Sequence, residues 1–303
     1  MPDAVEEKET PMTEPRYTSF TTLDVAVQGR VVTATVANPP LNMITLGLLD
    51  DLDRFTRDAA EDPDAVVVVI KSADPDIFIT HNEFANLYKL QPQELPKSAD
   101  EVELNRMHHI CERLRTMDKV TIAQVEGRAA GGGAAMVMAC DMKFGALGKA
   151  VFNTMSVPLG AVPGGGASQY MPRVIGRSRA LELILGGLDL DAATAERWGY
   201  LNRALAPEDI DAFVASTAAR IASCPPAAVR LTKEAVGMSD GPIEQGLREE
   251  NYRFRLLMAS EESLTAISTF LEVGGETREG ETRMEALLGD VLARDSKNSV
   301  VKG

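Results

Sequence analysis

Three consecutive glycines, Gly131, Gly132 and Gly133, form the stretch of this sequence best suited to chemistry. They follow an apolar run, 120–125, typical of a buried strand. A small-residue apolar segment, 134–140, comes next and is long enough for about two helical turns. The first N–H groups of a helix lack partners within it, and glycines let a ligand approach the main chain closely. The pattern predicts a backbone site for a developing negative charge.

The spacing of the glycines excludes other glycine-rich sites. A dinucleotide fingerprint would need glycine where Met136 stands, and a phosphate-binding loop of the Walker type would need glycine where Lys143 stands. A nucleophile elbow around Ser168 would need glycine at Tyr170. One alternative stays open, that the glycines serve only close packing of a helix on a strand.

A second segment of chemical interest follows the predicted short strand 77–80. It reads His81, Asn82, Glu83 and leads into a helical pattern. His81 could act as base or acid, because its unperturbed pKa lies near neutrality. The alternatives are that His81 caps the helix start and that Glu83 supports the first turn through the helix dipole.

The sequence around both segments resembles the enoyl-CoA hydratase/isomerase (crotonase) superfamily. The resemblance rests on IAQVEGRAAGGGAAMVMACDMKFGA at 122–146, FNTMSVPLGAVPGGG at 152–166 and MPRVIGRSRALELILGG at 171–187, within about residues 20–273. It implies an α/β fold, a crotonase-like spiral of ββα units with a C-terminal helical trimerisation region. We therefore expect a crotonase core at 18–205, helices at 206–273, and a homo-oligomer, either a trimer or a dimer of trimers. The acidic segment 1–17 is predicted to be disordered, and 274–303 is an extension beyond the family's usual end.

The resemblance also implies how the two segments work together. Family members bind the thioester oxygen of an acyl-CoA between two backbone N–H groups, which here belong to Asn82 and Gly132. Such an oxyanion hole is worth about 3–4 kcal/mol per donor. Coenzyme A then enters as part of the substrate, and no further cofactor or metal is expected.

Two positions depart from the family pattern. Family hydratases place two glutamates across the substrate, and the aligned residues here are Ala135 and Ser156. Neither alanine nor a lone serine accepts a proton at neutral pH. The dehalogenase-like branch of the family has an aspartate nucleophile where this chain has Gly164. We therefore predict no more than a trace of crotonyl-CoA hydration.

The remaining polar groups leave the reaction open. His81, Glu83 and Ser156 are catalytic candidates, although Ser156 as nucleophile lacks a visible base and could be a pocket wall. Further substrate contacts are predicted from Leu41, Thr80, Gly131, Ala135, Asn153, Gly164 and Tyr170. Leu41 stands where the family has a basic residue. The predicted functions are an acyl-CoA enzyme (decarboxylation, isomerisation, hydrolysis or C–C cleavage), a thioester-binding homologue without turnover, or an enzyme for a non-CoA β-dicarbonyl.

Composition agrees with a cytoplasmic enzyme of 303 residues. The net charge of −14 argues against nucleic-acid partners and against anionic membrane surfaces. Three widely spaced cysteines have no metal-ligand spacing and indicate reduced thiols. No run is long enough for a membrane span.

Periodicity predicts the main elements. A hairpin is expected at 23–36, a helix from Leu46 capped by Thr45, a buried parallel strand at 65–70, and an amphipathic helix at 99–117. Further helices are expected near 179–185, 192–199, 208–223, 225–236, 243–259 and 262–273, with a strand at 201–205 and an apolar stripe within 277–295.

Overall fold

The computed structural model describes residues 16–83, 97–98, 101–159, 161–241, 252, 254, 260–274, 286 and 288–294. Within them the chain builds two sheets. The larger sheet has the strand order β1-β2-β3-β5-β7-β10, and the smaller has the order β4-β6-β8-β9. The strands are β1 Leu23–Gln28, β2 Val31–Val36, β3 Val67–Ser72, β4 Ile77–Ile79, β5 Val120–Val125, β6 Arg128–Ala130, β7 Met142–Ala146, β8 Val151–Asn153, β9 Leu190–Asp191 and β10 Arg203–Leu205.

Along the sequence, from β3 to β8, the chain adds strands alternately to the larger and the smaller sheet. Strands β1 and β2 form the predicted antiparallel hairpin, and β2, β3, β5, β7 and β10 then pair in parallel. After each of β3, β5 and β7 the chain adds one short strand to the smaller sheet, where β4, β6 and β8 are also parallel. This repeated strand pair, followed by helix, is the spiral of ββα units that the sequence predicted.

Helices cover both faces of the larger sheet. They are α1 Leu46–Glu61, α2 Arg106–Thr116, α3 Gly132–Ala139, α4 Ala167–Ile175, α5 Arg177–Gly186, α6 Ala192–Trp198, α7 Ile210–Ala222, α8 Pro226–Gly237 and α9 Glu261–Glu272. Strand β3 shows why its sequence is continuously apolar. Val68 and Ile70 join the core that contains α1 and α2, whereas Val67 and Val69 pack with α7. Alternate residues of one strand thus bury against different helices, which confirms the predicted buried parallel strand.

Two predicted helix starts had different outcomes. Helix α1 begins as predicted, with the Thr45 hydroxyl accepting the N–H of Leu48. The helix predicted over 99–117 was placed too early, because it begins only at Arg106. The side chain of Asn105 accepts the N–H of His108 at 2.9 Å and closes a capping box. Val102, predicted on the buried face, precedes this cap and is 57% exposed.

The C-terminal part is described only in pieces. Helix α9 confirms the predicted helix near 262–273, and Ser260 is its N-cap. The described part of the predicted 277–295 stripe is helical and buries Val291. Most of the pattern at 243–259, and most of the segments 1–17 and 274–303, lies outside the described residues.

Candidate active site

The first predicted donor lies just beyond β4. The N–H of Ile44 donates to the carbonyl of His81 at 3.0 Å, and the N–H of Glu83 donates to the carbonyl of Ile44 at 3.1 Å. Alternate peptide groups of an extended segment face opposite edges, so the N–H of Asn82 faces away from Ile44. That opposite edge is the one on which β6 pairs with β4.

The second predicted donor lies at the start of α3, directly after β6. Gly131 turns the chain with a φ of +53°, and its N–H donates to the carbonyl of Asn153 at 3.0 Å. The N–H of Gly133 donates to the carbonyl of Thr80 at 3.2 Å, which holds the helix start against β4. Gly132 is the first helical residue, so its N–H has no partner within the helix. In the described part of the chain, no recorded hydrogen bond uses the N–H of either Asn82 or Gly132.

Packing explains two of the three glycines. A methyl group added to Gly131 would lie 2.9 Å from Cβ of His81, and one added to Gly133 would lie 2.0 Å from the carbonyl oxygen of Ile79. At Gly132 the same methyl group would meet only Cδ1 of Ile44 at 2.5 Å, the far end of a flexible side chain. Close helix–strand packing therefore accounts for Gly131 and Gly133, whereas the neighbour that an added Cβ would meet at Gly132 is the movable end of the Ile44 side chain.

A cavity of about 570 Å³ is lined by both Asn82 and Gly132. Seven residues predicted for the site line it, and they are His81, Asn82, Gly131, Gly132, Ala135, Ser156 and Gly164. The structure thus brings together residues from three segments that are far apart in sequence. The positions aligned with the family's two glutamates, Ala135 and Ser156, are both in this lining.

The other five predicted residues, Leu41, Thr80, Glu83, Asn153 and Tyr170, lie outside the cavity lining. The hydroxyl of Thr80 donates to the carbonyl of Leu41 at 3.1 Å, and Thr80 is buried. The Leu41 side chain is 44% exposed. Thr80 and Asn153 still support the site, because their carbonyl oxygens accept from the glycine turn. In this structure both residues position the backbone of the glycine turn.

Tyr170 is turned away from the cavity by a carboxylate partner. Its hydroxyl donates to Oε1 of Glu112 at 2.7 Å. Burial, together with this bond, raises the pKa of Tyr170 well above its usual range. Hydrogen bonding from Arg115, opposed by burial and assisted by Tyr170, lowers the pKa of Glu112. This pair is a fixed link between α2 and α4, and it supplies no base to the cavity.

His81 is the histidine of the cavity lining, and one contact fixes its hydrogen. Its Nδ1 lies 2.9 Å from the carbonyl oxygen of Asn82. Because a carbonyl oxygen can only accept, Nδ1 carries the hydrogen in the neutral ring and Nε2 keeps the lone pair. In the neutral form of the ring, Nε2 is therefore the nitrogen that carries the lone pair and can accept a proton.

The start of α2 also contributes to the cavity, which was not predicted from the sequence. Asn105, Arg106 and Met107 all line it, and the side-chain amide of Asn105 donates to the carbonyl of Gly164 at 2.8 Å. The signal that could have found them is the capping residue Asn105, which would have ended the loop before α2. Among the described lining residues there is no aspartate and no glutamate, and the ionisable side chains are His81 and Arg106.

The described residues contain neither a metal-binding cluster nor a membrane-spanning helix. No group of three or more His, Cys, Asp or Glu side chains in them is placed to hold a metal ion. None of the helices described here has both the length and the apolar character needed to cross a membrane.

Comparison with known proteins identifies the class to which this fold and site belong. The family model for enoyl-CoA hydratase/isomerase matches residues 26–277. The chain belongs to the enoyl-CoA hydratase/isomerase family, which confirms the resemblance seen in the sequence. It is 32% identical over 255 residues to a probable enoyl-CoA hydratase of Rhizobium meliloti, covering 84% of this chain and 96% of that protein. A probable mitochondrial enoyl-CoA hydratase of Dictyostelium discoideum is 29% identical over 258 residues, covering 84% of this chain and 90% of that one.

Solved structures confirm the fold. An enoyl-CoA hydratase of Geobacillus kaustophilus is similar with a TM-score of 0.77 at 25% identity, covering 84% of this chain and 95% of that one. A putative enoyl-CoA hydratase of Streptomyces avermitilis is similar with a TM-score of 0.66 at 32% identity, covering 91% of this chain and all of that one. The protein is thus an enzyme of the crotonase superfamily.

Proposed function

We propose that this protein acts on an acyl-CoA thioester whose carbonyl oxygen binds between the N–H groups of Asn82 and Gly132, by a reaction other than two-glutamate hydration. The substrate class is supported by the relatives, several of which are named as enoyl-CoA hydratases. The place of the oxygen is supported by two backbone groups that line one cavity and follow the ends of the neighbouring parallel strands β4 and β6.

A pair of backbone N–H donors can serve several different reactions in proteins of one fold. A thioester enolate and a tetrahedral intermediate both carry their charge on the same oxygen, so one oxyanion hole stabilises either. Decarboxylation, isomerisation, hydrolysis and C–C cleavage of acyl thioesters each pass through one of these species. The N–H groups of Asn82 and Gly132 need no particular side chain, and the hole is compatible with all four reactions.

The observation that carries the proposal is the absence of acids from the described cavity lining. Ala135 is 1% exposed on α3, and Ser156 lies on the opposite loop after β8. Losing a positioned acid or base costs about 10²–10⁴-fold in rate. Two such losses place hydration of crotonyl-CoA near background.

We assign the base to His81. In the proposed step Nε2 removes a proton from the carbon next to the thioester carbonyl. The electrons of that C–H bond move onto the thioester oxygen, where the N–H groups of Asn82 and Gly132 receive the charge. The imidazolium then returns its proton to carbon or to a leaving group. Asn82 thus serves twice, because its carbonyl oxygen also holds the imidazole through Nδ1.

The test follows exchange of the α-hydrogens of a saturated thioester, which does not require knowing the natural product. The full chain is incubated with butyryl-CoA in D₂O, and deuterium in the recovered thioester is measured by mass spectrometry. We expect wild type to exchange α-hydrogen, and His81→Ala to lose at least 100-fold in rate while still binding butyryl-CoA by calorimetry. Crotonyl-CoA hydration is measured in parallel and should stay at a trace.

Three outcomes would contradict parts of the proposal. Equal exchange by His81→Ala would remove His81 as the base. Binding without exchange, and without turnover of an acyl-CoA panel, would make the protein a thioester-binding homologue. Rapid crotonyl-CoA hydration by both proteins would show that Ala135 and Ser156 are not the positions that matter.

We also propose that the protein assembles through its C-terminal helices as a trimer or a dimer of trimers in the cytoplasm. Helix α9 supports this, because Leu264, Ile267 and Leu271 repeat at helical spacing and are 41–58% exposed in the single chain. Sedimentation equilibrium at micromolar concentration should give three or six times the chain mass. A mass of one chain would contradict the assembly.

A further inference from the structure

The cavity carries one permanent positive charge in its described lining, and that charge belongs to Arg106. The protein as a whole is strongly acidic, with a formal net charge of −14. Its general field therefore repels anions, and an anionic group enters the cavity only where a local cation receives it. No aspartate or glutamate lines the described cavity to compete from inside.

Arg106 lies at a place that the acyl end of the proposed substrate can reach. A methyl group placed on Gly165 would lie 3.5 Å from Cγ of Met107 and 3.8 Å from Cα of Gly132. The Met107 side chain, on the first turn of α2, and the main chain of Gly132 therefore both lie next to Gly165. Arg106 is the first residue of α2, next to Met107. A thioester held at Gly132 has an acyl chain of a few carbons within reach of this helix start.

The present partners of Arg106 hold it weakly and use one of its nitrogens. Nη2 pairs with Asp50 and lies 3.9 Å from Asp53, both on α1. The Asp50 and Arg106 side chains are 64% and 45% exposed, and exposed pairs of this kind are weak. Among the described residues, no recorded hydrogen bond uses Nε or Nη1 of Arg106. A guanidinium carries five N–H donors, so a carboxylate can bind it while Asp50 stays in place.

We propose that Arg106 is the specificity-determining residue for an acyl-CoA whose acyl group ends in a carboxylate, a dicarboxylic monothioester of about four to six carbons. This inference rests on the proposed function, since it takes the thioester as bound at Asn82 and Gly132. The apolar residues of the same cavity lining, including Leu49, Leu104 and Met107, suit the methylene groups of such a chain. The guanidinium then takes the terminal carboxylate through paired N–H donors.

Binding of three probes tests the inference by calorimetry with the full chain. Glutaryl-CoA carries the terminal carboxylate, pentanoyl-CoA has the same chain length without it, and coenzyme A has the phosphates alone. We expect wild type to bind glutaryl-CoA about 10-fold more tightly than pentanoyl-CoA. Arg106→Met should remove this preference and leave pentanoyl-CoA binding within 2-fold. Asp50→Asn, the matched control, removes the competing carboxylate and should increase the preference.

The outcomes separate this inference from the function on which it rests. If pentanoyl-CoA binds and wild type shows no preference for glutaryl-CoA, the inference fails and the proposed function stands. If Arg106→Met weakens all three probes equally, Arg106 binds the phosphates of coenzyme A and the inference is overturned. If neither thioester binds wild type more tightly than coenzyme A itself, the thioester site fails and both proposals fall.

Discussion

Asn105 caps helix α2 and also holds a loop of the cavity. The loss of stability expected when Asn105 is replaced can be calculated from the two hydrogen bonds that its side chain makes. Its Oδ1 accepts the N–H of His108 at 2.9 Å as the N-cap of α2. Its Nδ2 donates to the carbonyl of Gly164 at 2.8 Å, on the loop that lines the cavity opposite Gly132. Loss of an asparagine cap costs about 1 kcal/mol, and loss of a neutral hydrogen bond costs about 0.5–1.5 kcal/mol.

We therefore expect Asn105→Ala to lower the free energy of unfolding by about 1.5–2.5 kcal/mol in urea denaturation. Asn105→Ser keeps a capping oxygen and loses only the bond to Gly164, so it should lose about half as much. Both variants should slow α-hydrogen exchange of butyryl-CoA, because each releases the Gly164 loop. If Asn105→Ala is as stable as wild type, Asn105 does not stabilise α2 as its N-cap. If both variants exchange α-hydrogen at the wild-type rate, the Asn105–Gly164 bond does not matter for the site.

Two further predictions concern groups away from the cavity. Burial acts to raise the pKa of Asp51, but hydrogen bonds from the N–H and hydroxyl groups of Thr21 and Thr22 outweigh it and hold that pKa below its ordinary value. The stability from Asp51 is then present above its unfolded pKa of about 4 and lost as pH falls through the folded value. Asp51→Asn should cost about 2 kcal/mol at pH 7, by urea titration, and progressively less below pH 4; a gap independent of pH would contradict this. Burial also raises the pKa of all three cysteines, that of Cys140 to about 12, but only Cys224 is partly exposed. Iodoacetamide at pH 8 should therefore modify the native protein at Cys224 alone and all three thiols in urea, and native labelling at another cysteine by mass spectrometry would count against the burial.

The sequence predicted the larger sheet better than the smaller one, for a physical reason. A run such as 65–70 is covered by other elements on both faces of the sheet, so every residue in it is apolar. Such a strand can be predicted from its own sequence alone. Strands β6 and β8 have three residues each, and β9 has two. Elements so short carry no periodicity, and they exist because their neighbours pair with them. Only the family resemblance predicted the spiral that these short strands complete.

In the site, too, some features could be predicted from local sequence and others depend on tertiary packing. Segment patterns and the resemblance predicted the two donors and the positions Ala135 and Ser156, all of which line one cavity. They did not predict the part played by the start of α2, because Asn105 and Arg106 come close to Gly132 only through tertiary packing. Tyr170 was assigned to the substrate by its polarity, yet a partner on another helix, Glu112, takes its hydroxyl. Sequence adjacency to a motif does not fix which way a side chain faces.

The central claim is that the N–H of Gly132 stabilises the thioester oxygen, and one pair of variants isolates that group. Gly132→Ala keeps the N–H, whereas Gly132→Pro deletes it. Both add a Cβ that would lie 2.5 Å from Cδ1 of Ile44, so both are made in an Ile44→Val background that lacks this atom. Proline is tolerated at the first position of a helix, which Gly132 occupies.

The decisive measurement is α-hydrogen exchange of butyryl-CoA in D₂O by the two double variants, with circular dichroism showing that both are folded. Loss of one oxyanion donor costs about 10²–10³-fold in rate. We expect Ile44→Val/Gly132→Ala to stay within 10-fold of Ile44→Val, and Ile44→Val/Gly132→Pro to fall at least 100-fold below it. Equal exchange by the folded alanine and proline variants would show that the oxygen binds elsewhere and that the glycines serve packing alone.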